Sequence, residues 1–150
     1  MDKISIATIE YPDGKQYTGE VLNDMPHGAG VATGPTGFRY EGGFLMGQYH
    51  GFGRIELADG SSYQGHYSHG QFDGHGRLSG PDGAIYEGWF ASGNKHGKGT
   101  LTLSDGTKWI SEWSNDHMNG PATLVLPDGK EIDGIFEGAE IIMNKESENG

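Results

Sequence analysis

The sequence predicts an all-β chain, an elongated single-layer antiparallel meander of repeated β-hairpins, and three observations carry that prediction. Glycine supplies 28 of 150 residues while only 33% are hydrophobic, and so much glycine without a triplet period excludes both collagen and a helix-rich globule. Glycines and aromatics recur every 23 residues, the mark of a repeat architecture. Each interval then splits into two alternating runs separated by turn formers, which is how a hairpin reads.

The elements follow in chain order. Ile4-Ser5-Ile6-Ala7-Thr8-Ile9-Glu10-Tyr11 alternates like a strand and leads into Pro12-Asp13-Gly14, so residues 1–16 read as a capping strand and turn. The array occupies residues 17–139. Its frame is set by Tyr17, Tyr40, Tyr63, Tyr86, Trp109 and Ile132, and four residues on by Val21, Phe44, Tyr67, Phe90, Trp113 and Phe136. Glycines 28, 51, 74, 97 and 120, and 30, 53, 76 and 99, keep the same step. Turns such as Pro81-Asp82-Gly83 have a mechanism, because Pro presets φ, Asp bonds the local backbone and Gly takes φ > 0. Residues 140–150 read as an apolar strand, Ile141-Ile142-Met143, and a frayed charged tail from Lys145 to Gly150.

One unit shows the expected pairing. Tyr86 to Ala91 forms a strand, Ser92 to Gly97 a turn, and Lys98 to Leu103 a second strand. Centring on that turn sets Tyr86 against Leu103, Gly88 against Leu101 and Phe90 against Gly99. The next unit would set Trp109 against Leu126, Ser111 against Leu124 and Trp113 against Ala122. Glycine then makes room for a neighbouring ring, with Gly76 facing Tyr67 and Gly99 facing Phe90. Glu87, Thr100 and Thr102, with Gln64, His66, Arg77 and Ser79 a unit earlier, fall on a solvated face.

Composition narrows the function. No cysteine is present, which excludes disulfides, thiolate metal sites and cysteine nucleophiles and suits a reducing compartment. The first residues are not a basic segment followed by an apolar one, and no window reaches 18 apolar residues. A cytoplasmic protein is expected. A net charge of −11 repels phosphate backbones and anionic lipid, so nucleic acid is not expected as a partner and membrane binding is disfavoured.

Tyr40-Glu41-Gly42 with Phe44 and His50-Gly51-Phe52-Gly53, and Tyr86-Glu87-Gly88 with Phe90 and His96-Gly97-Lys98-Gly99, resemble MORN repeats (membrane occupation and recognition nexus). Five full units and a half unit from Ile132 share the pattern. The fifth departs from it, with Trp109-Ile110-Ser111 and Asn119-Gly120-Pro121-Ala122, which predicts irregular pairing there or a cap-like last repeat. The resemblance implies a β-meander with a groove, serving as a scaffold or partner-binding module. It also implies a role at phosphoinositide membranes, which the net charge opposes.

Each candidate site has a competing structural reading. His27, His50 and His96 share one repeat position about 10 Å apart per hairpin, too far to converge on one ion whose ligands lie about 2 Å from it. His66, His69, Asp73 and His75 are the one local cluster; straddling one turn, they offer a weak zinc or nickel site on one reading and are solvated turn residues on the favoured one. Asp13, Asp59, Asp82, Asp105 and Asp128 are equally spread and have turn roles. Gly51-Phe52-Gly53 and Gly97-Lys98-Gly99 mimic phosphate loops but open no helix. No Gly-x-Ser-x-Gly elbow or isolated carboxylate pair occurs. No catalytic residue, metal or cofactor is expected.

The expected function is therefore a non-enzymatic scaffold or adaptor holding a protein or peptide in its groove. Tyr40, Phe44, Tyr63, Tyr67, Tyr86, Phe90, Trp109 and Trp113 are the expected lining. Tyr49, Phe52, Phe72 and Trp89 fall off the frame and are expected to face outward as a contact patch. Alternatives are a carbohydrate-binding array, favoured if the rings are exposed rather than packed together, and a phospholipid-associated module. A homodimer through the edge strands is a further possibility, as is cytoskeletal or membrane association through partners.

Overall fold

The computed structural model describes residues 3–138 and 140–143, so the tail from Lys145 to Gly150 lies outside the described residues. Thirteen strands follow one another: β1 (Ser5–Glu10), β2 (Gln16–Leu22), β3 (Met25–Thr33), β4 (Arg39–Leu45), β5 (Gln48–Glu56), β6 (Ser62–Ser68), β7 (Gln71–Ser79), β8 (Ile85–Ala91), β9 (Asn94–Thr102), β10 (Lys108–Ser114), β11 (His117–Val125), β12 (Glu131–Glu137) and β13 (Glu140–Met143). They form one antiparallel sheet in sequence order, open at β1 and β13. Among the described residues substantial strand contacts join only sequence neighbours, so no second layer covers either face. This is the predicted meander of hairpins.

Two kinds of turn alternate along its edges. Within each repeat a two-residue turn joins the strands: Asn23-Asp24, Met46-Gly47, His69-Gly70, Ser92-Gly93 and Asn115-Asp116, every one of these residues at positive φ. That is the type I′ geometry, whose twist matches the flanking strands. Between repeats the aspartates work as expected. Asp13, Asp59, Asp82, Asp105 and Asp128 each accept the amide two residues on, at 2.8 to 3.0 Å. The amides of Lys15 and Thr107 hold the carboxyls of Asp13 and Asp105 below their ordinary pKa, and the hydroxyl and amide of Ser61 do so for Asp59.

The register inside the hairpins differs from the expected one by two residues before the bulge and by four between the bulge and the turn. Tyr86 opposes Leu101, Gly88 opposes Gly99 and Phe90 opposes Lys95, instead of Leu103, Leu101 and Gly99. Likewise Trp109 opposes Leu124, Ser111 opposes Ala122 and Trp113 opposes Met118. The tight turn at Ser92-Gly93 replaces the longer turn expected over Ser92 to Gly97, and a bulge between Gly88 and Phe90 then absorbs two extra residues of β9. Gly97 sits in that bulge at φ 81°, as do Gly28, Gly51, Gly74 and Gly120 at φ 79° to 102° in their units. The first glycine of His-Gly-x-Gly is thus a backbone requirement.

The second glycine answers to a tyrosine. Tyr17, Tyr40, Tyr63 and Tyr86 alternate across the sheet with Ala32, Ile55, Leu78 and Leu101. Each ring lies over the glycine row beside it and donates its hydroxyl to the carbonyl three residues on, Glu20, Gly43, His66 and Trp89, at 2.5 to 2.9 Å. A methyl built on Gly76 or Gly99 would collide with the ring of Tyr63 or Tyr86. These, not Tyr67 and Phe90, are the rings those glycines accommodate.

The fifth unit keeps this design with exchanged parts. Trp109 has no hydroxyl to give, and Ser111, standing where earlier units have glycine, donates its own to the Glu112 carbonyl at 2.9 Å. That carbonyl lies 23 residues after the Trp89 carbonyl that Tyr86 serves. Pairing runs on through β10, β11 and β12 with the same bulge. The expected irregularity does not occur, because Pro121 lies in the bulge facing β10, where a strand tolerates a missing N–H.

Candidate protein-interaction surface

The two faces of the sheet divide the work. On the inner face the tyrosine row and the row of Val21, Phe44, Tyr67, Phe90 and Trp113 make a continuous core. Tyr40 and Phe44, Tyr63 and Tyr67, and Tyr86 and Phe90 meet edge to face at 5.1 Å. Successive units interlock the same way, Tyr40 on Tyr67, Tyr63 on Phe90 and Tyr86 on Trp113, at 5.2 to 5.3 Å. Such pairs add about 0.5–1.5 kcal/mol each beyond burial.

Seven of the eight expected groove residues are therefore core. Tyr40, Phe44, Tyr63, Tyr67, Tyr86, Phe90 and Trp113 are all buried, and Trp109 alone stays half-buried, against Phe136 at 5.7 Å. Buried side chains give a partner little to touch. They also lack the open ring faces on which a sugar chain could stack.

The expected outward patch divides in two. Tyr49 stacks on Tyr40 at 3.9 Å and Phe72 on Tyr63 at 3.8 Å, so both lie on the inner face. The cause is the bulge: Tyr49 and Phe72 precede it and oppose Phe44 and Tyr67 directly, which puts them on the face of those rings. One unit on, Lys95 takes the same place, its Nζ 5.4 Å from the Tyr86 ring and 5.3 Å from that of Trp113. Phe52 and Trp89 do face outward and are 56% and 51% exposed. Phe52 meets His66 and Trp89 meets His75, edge to face, at 5.9 and 5.4 Å.

Clefts accompany both faces. On the inner face at the N-terminal end, a cleft of about 420 Å³ lies between Tyr11, Phe38 and Tyr49, where Pro26 and Ala32 stand in place of the larger Tyr49 and Ile55 of the next unit. On the outer face a cleft of about 980 Å³ crosses β7 to β12. Trp89, Ile110, Pro121 and Ile135 give it apolar walls, with Glu87, Lys98, Glu112 and Asp133 among them. Ile110 and Ile135 are each 45% exposed.

Ile110, Pro121 and Ile135 were not marked by the aromatic frame. Their signal lies in the outward positions, where Ile110 follows Glu41, Gln64 and Glu87 in the 23-residue frame, and Ile135 follows Glu112. An apolar residue replacing a polar one on a solvated face is the deviation to look for.

His27 and His50 have structural duties. The Nδ1 atoms of His27 and His50 accept the amides of Met46 and His69 at 3.3 and 3.4 Å, tying one repeat to the turn of the next. His66 and His75 lie with Phe52 and Trp89, while His69 sits in its turn beside His50. Among the described residues no group of three or more His, Cys, Asp or Glu side chains is placed to hold a metal ion.

Tyr67 is the exception in its row. Its hydroxyl is buried with no hydrogen-bond partner among the described residues, and the equivalent residues one unit either side are Phe44 and Phe90. Tyr67→Phe is expected to raise stability by about 1 kcal/mol, since an unsatisfied buried hydroxyl costs about 1–3 kcal/mol. Denaturant melts check this, and a destabilised variant would show that the hydroxyl has a partner after all.

No curated protein matches the chain. Among solved structures, the TCP domain of SAS-4 (dCPAP) in complex with a proline-rich motif of Ana2 (dSTIL) of Drosophila melanogaster is similar at 15% identity. The match covers 95% of this chain and 90% of that one, with a TM-score of 0.40. The family model of the MORN repeat matches residues 17–39, 40–62, 63–85, 86–108 and 109–131 without a gap. With its tyrosine and glycine rows and its bulged hairpins repeated over that whole span, the chain belongs to the MORN repeat family.

Proposed function

We propose that this protein is a non-enzymatic scaffold or adaptor that binds a protein or peptide on its outer face, in the cleft around Trp89. The observation that carries this is the exposed apolar set of Trp89, Ile110 and Ile135 on a face that the fold does not need to bury. The inner face already holds the core, so these side chains are surplus to folding, and surplus apolar surface marks an interaction site. Binding anchors are few, aromatic and central, which fits Trp89. The edge strands leave room for a homodimer within the same proposal, with Ile6 exposed on β1. In this reading the protein acts in the cytoplasm and reaches cytoskeleton or membrane through its partners.

Trp89→Ala is the test. It is expected to change stability by no more than about 0.5 kcal/mol, as for a surface substitution, and to abolish recovery of the protein's partners from lysate. Tyr17→Ala, deleting a core ring, should do the reverse to stability. A Trp89→Ala protein that unfolds, or that retains every partner, removes the outer face from consideration.

A further inference from the structure

Charge and apolar surface coincide in the outer cleft, and together they describe what fits it. The lining holds three carboxylates, Glu87, Glu112 and Asp133, against one lysine, Lys98. Arg77 answers Glu87 at 3.2 Å, and it is the last arginine in the sequence. Earlier on the sheet each arginine has its own acid, Arg39 with Glu41 at 2.9 Å and Arg54 with Glu56 at 3.0 Å. From β8 onward that compensation thins: Lys98 alone opposes Glu112 in register, and among the described residues Asp133 accepts a neutral hydroxyl bond from Thr123, at 2.9 Å, with no ion pair beside it. Beside these acids stand the exposed ring of Trp89 and the side chains of Ile110, Pro121 and Ile135.

Resting on the interaction reading above, we propose that the occupant is a cationic amphipathic segment of a partner protein. Its apolar side chains lie on Ile110, Pro121 and Ile135. Its lysines or arginines meet Glu112 and Asp133 and the face of Trp89, a site suited to a cation. Charge complementarity excludes the reverse arrangement, because an acidic segment would set like charges together in a molecule of net charge −11. Six strands span about 24 Å, which a helix of about 16 residues covers at 1.5 Å per residue.

The probes are synthetic helical peptides of about that length: one of leucine and lysine, one with glutamate for every lysine, and one with serine for every leucine. Calorimetry should show the leucine–lysine peptide binding at least tenfold tighter than either other peptide. Glu112→Gln with Asp133→Asn should weaken it at least tenfold, as should Trp89→Ala, with melting temperatures unchanged. Glu10→Gln with Asp24→Asn changes net charge equally at the far end of the sheet and should leave binding as it was. Equal binding of the glutamate or serine peptide, or equal loss from the two double variants, overturns the proposal. So does binding to phosphatidylcholine–phosphatidylserine vesicles that Trp89→Ala abolishes, since the face is then a membrane surface. If the leucine–lysine peptide fails while protein partners are still lost with Trp89→Ala, the cationic occupant is wrong and the interaction surface stands. If partners are retained as well, both readings fall.

Discussion

Gly99→Val is expected to lower stability by about 3 kcal/mol, the upper end of the usual cost of overpacking. A Cβ at this position overlaps the Tyr86 ring, and that ring has nowhere to go. Its hydroxyl is held by the Trp89 carbonyl at 2.9 Å, while Phe90 and Trp113 abut it at 5.1 and 5.2 Å. The same substitution one position back separates packing from chain composition. Lys98 is exposed on the opposite face, so Lys98→Val should stay within about 0.5 kcal/mol of the parent. Urea melts of the two variants decide the matter through their midpoints at a common slope. If they melt alike, Gly99 does not lie beneath Tyr86 and the face assignment of the whole row is wrong.

The 23-residue frame made the architecture legible because steric rules repeat with it. Tyr86 and Gly99 recur together since one occupies the space the other vacates, and Gly97 recurs since its φ of 81° suits no other residue as well. What the frame could not show was which of several turn formers makes the turn. Ser92, Gly93, Asn94 and Gly97 all qualify by type, and a turn of two residues in place of six shifts the register by four beside the turn, which the bulge reduces to two beyond it. Side-chain parity changes across a bulge, and for this reason Tyr49 and Phe72 lie on the inner face, against expectation, while Phe52 and Trp89 lie outside. The expected groove residues are buried for a different cause. Aromatic rings in a one-layer sheet look available on paper, but stacked rings from the next strand close over them, as Tyr49 does over Tyr40 at 3.9 Å. Ile110 and Ile135, by contrast, stood in plain view as apolar residues in polar positions.

Raising the pH from 10 toward 12 is expected to unfold the sheet. Burial pushes the phenols of Tyr63 and Tyr86 up to about 12, helped at Tyr63 by the charge of Asp73. Burial drives Tyr40 and Tyr67 upward as well, and raises Tyr17 and Tyr49. The folded chain therefore holds these protons more tightly than the unfolded chain, whose phenols release theirs near 10. This contribution to stability is complete below pH 10 and disappears as the pH rises through the folded-state values. A rise from 10 to about 12 corresponds to on the order of 2 to 3 kcal/mol for each ring, and two such rings approach the 5–15 kcal/mol that holds an ordinary domain together. Since the rings interlock across units, ionising one opens the site of the next, and the transition should be cooperative. Phenolate absorbance and the circular dichroism of the sheet, followed together through the titration, should change with one midpoint. If the absorbance change of all the tyrosines is complete while the sheet signal persists, the rings ionise within the folded meander and burial is not what keeps their protons in place.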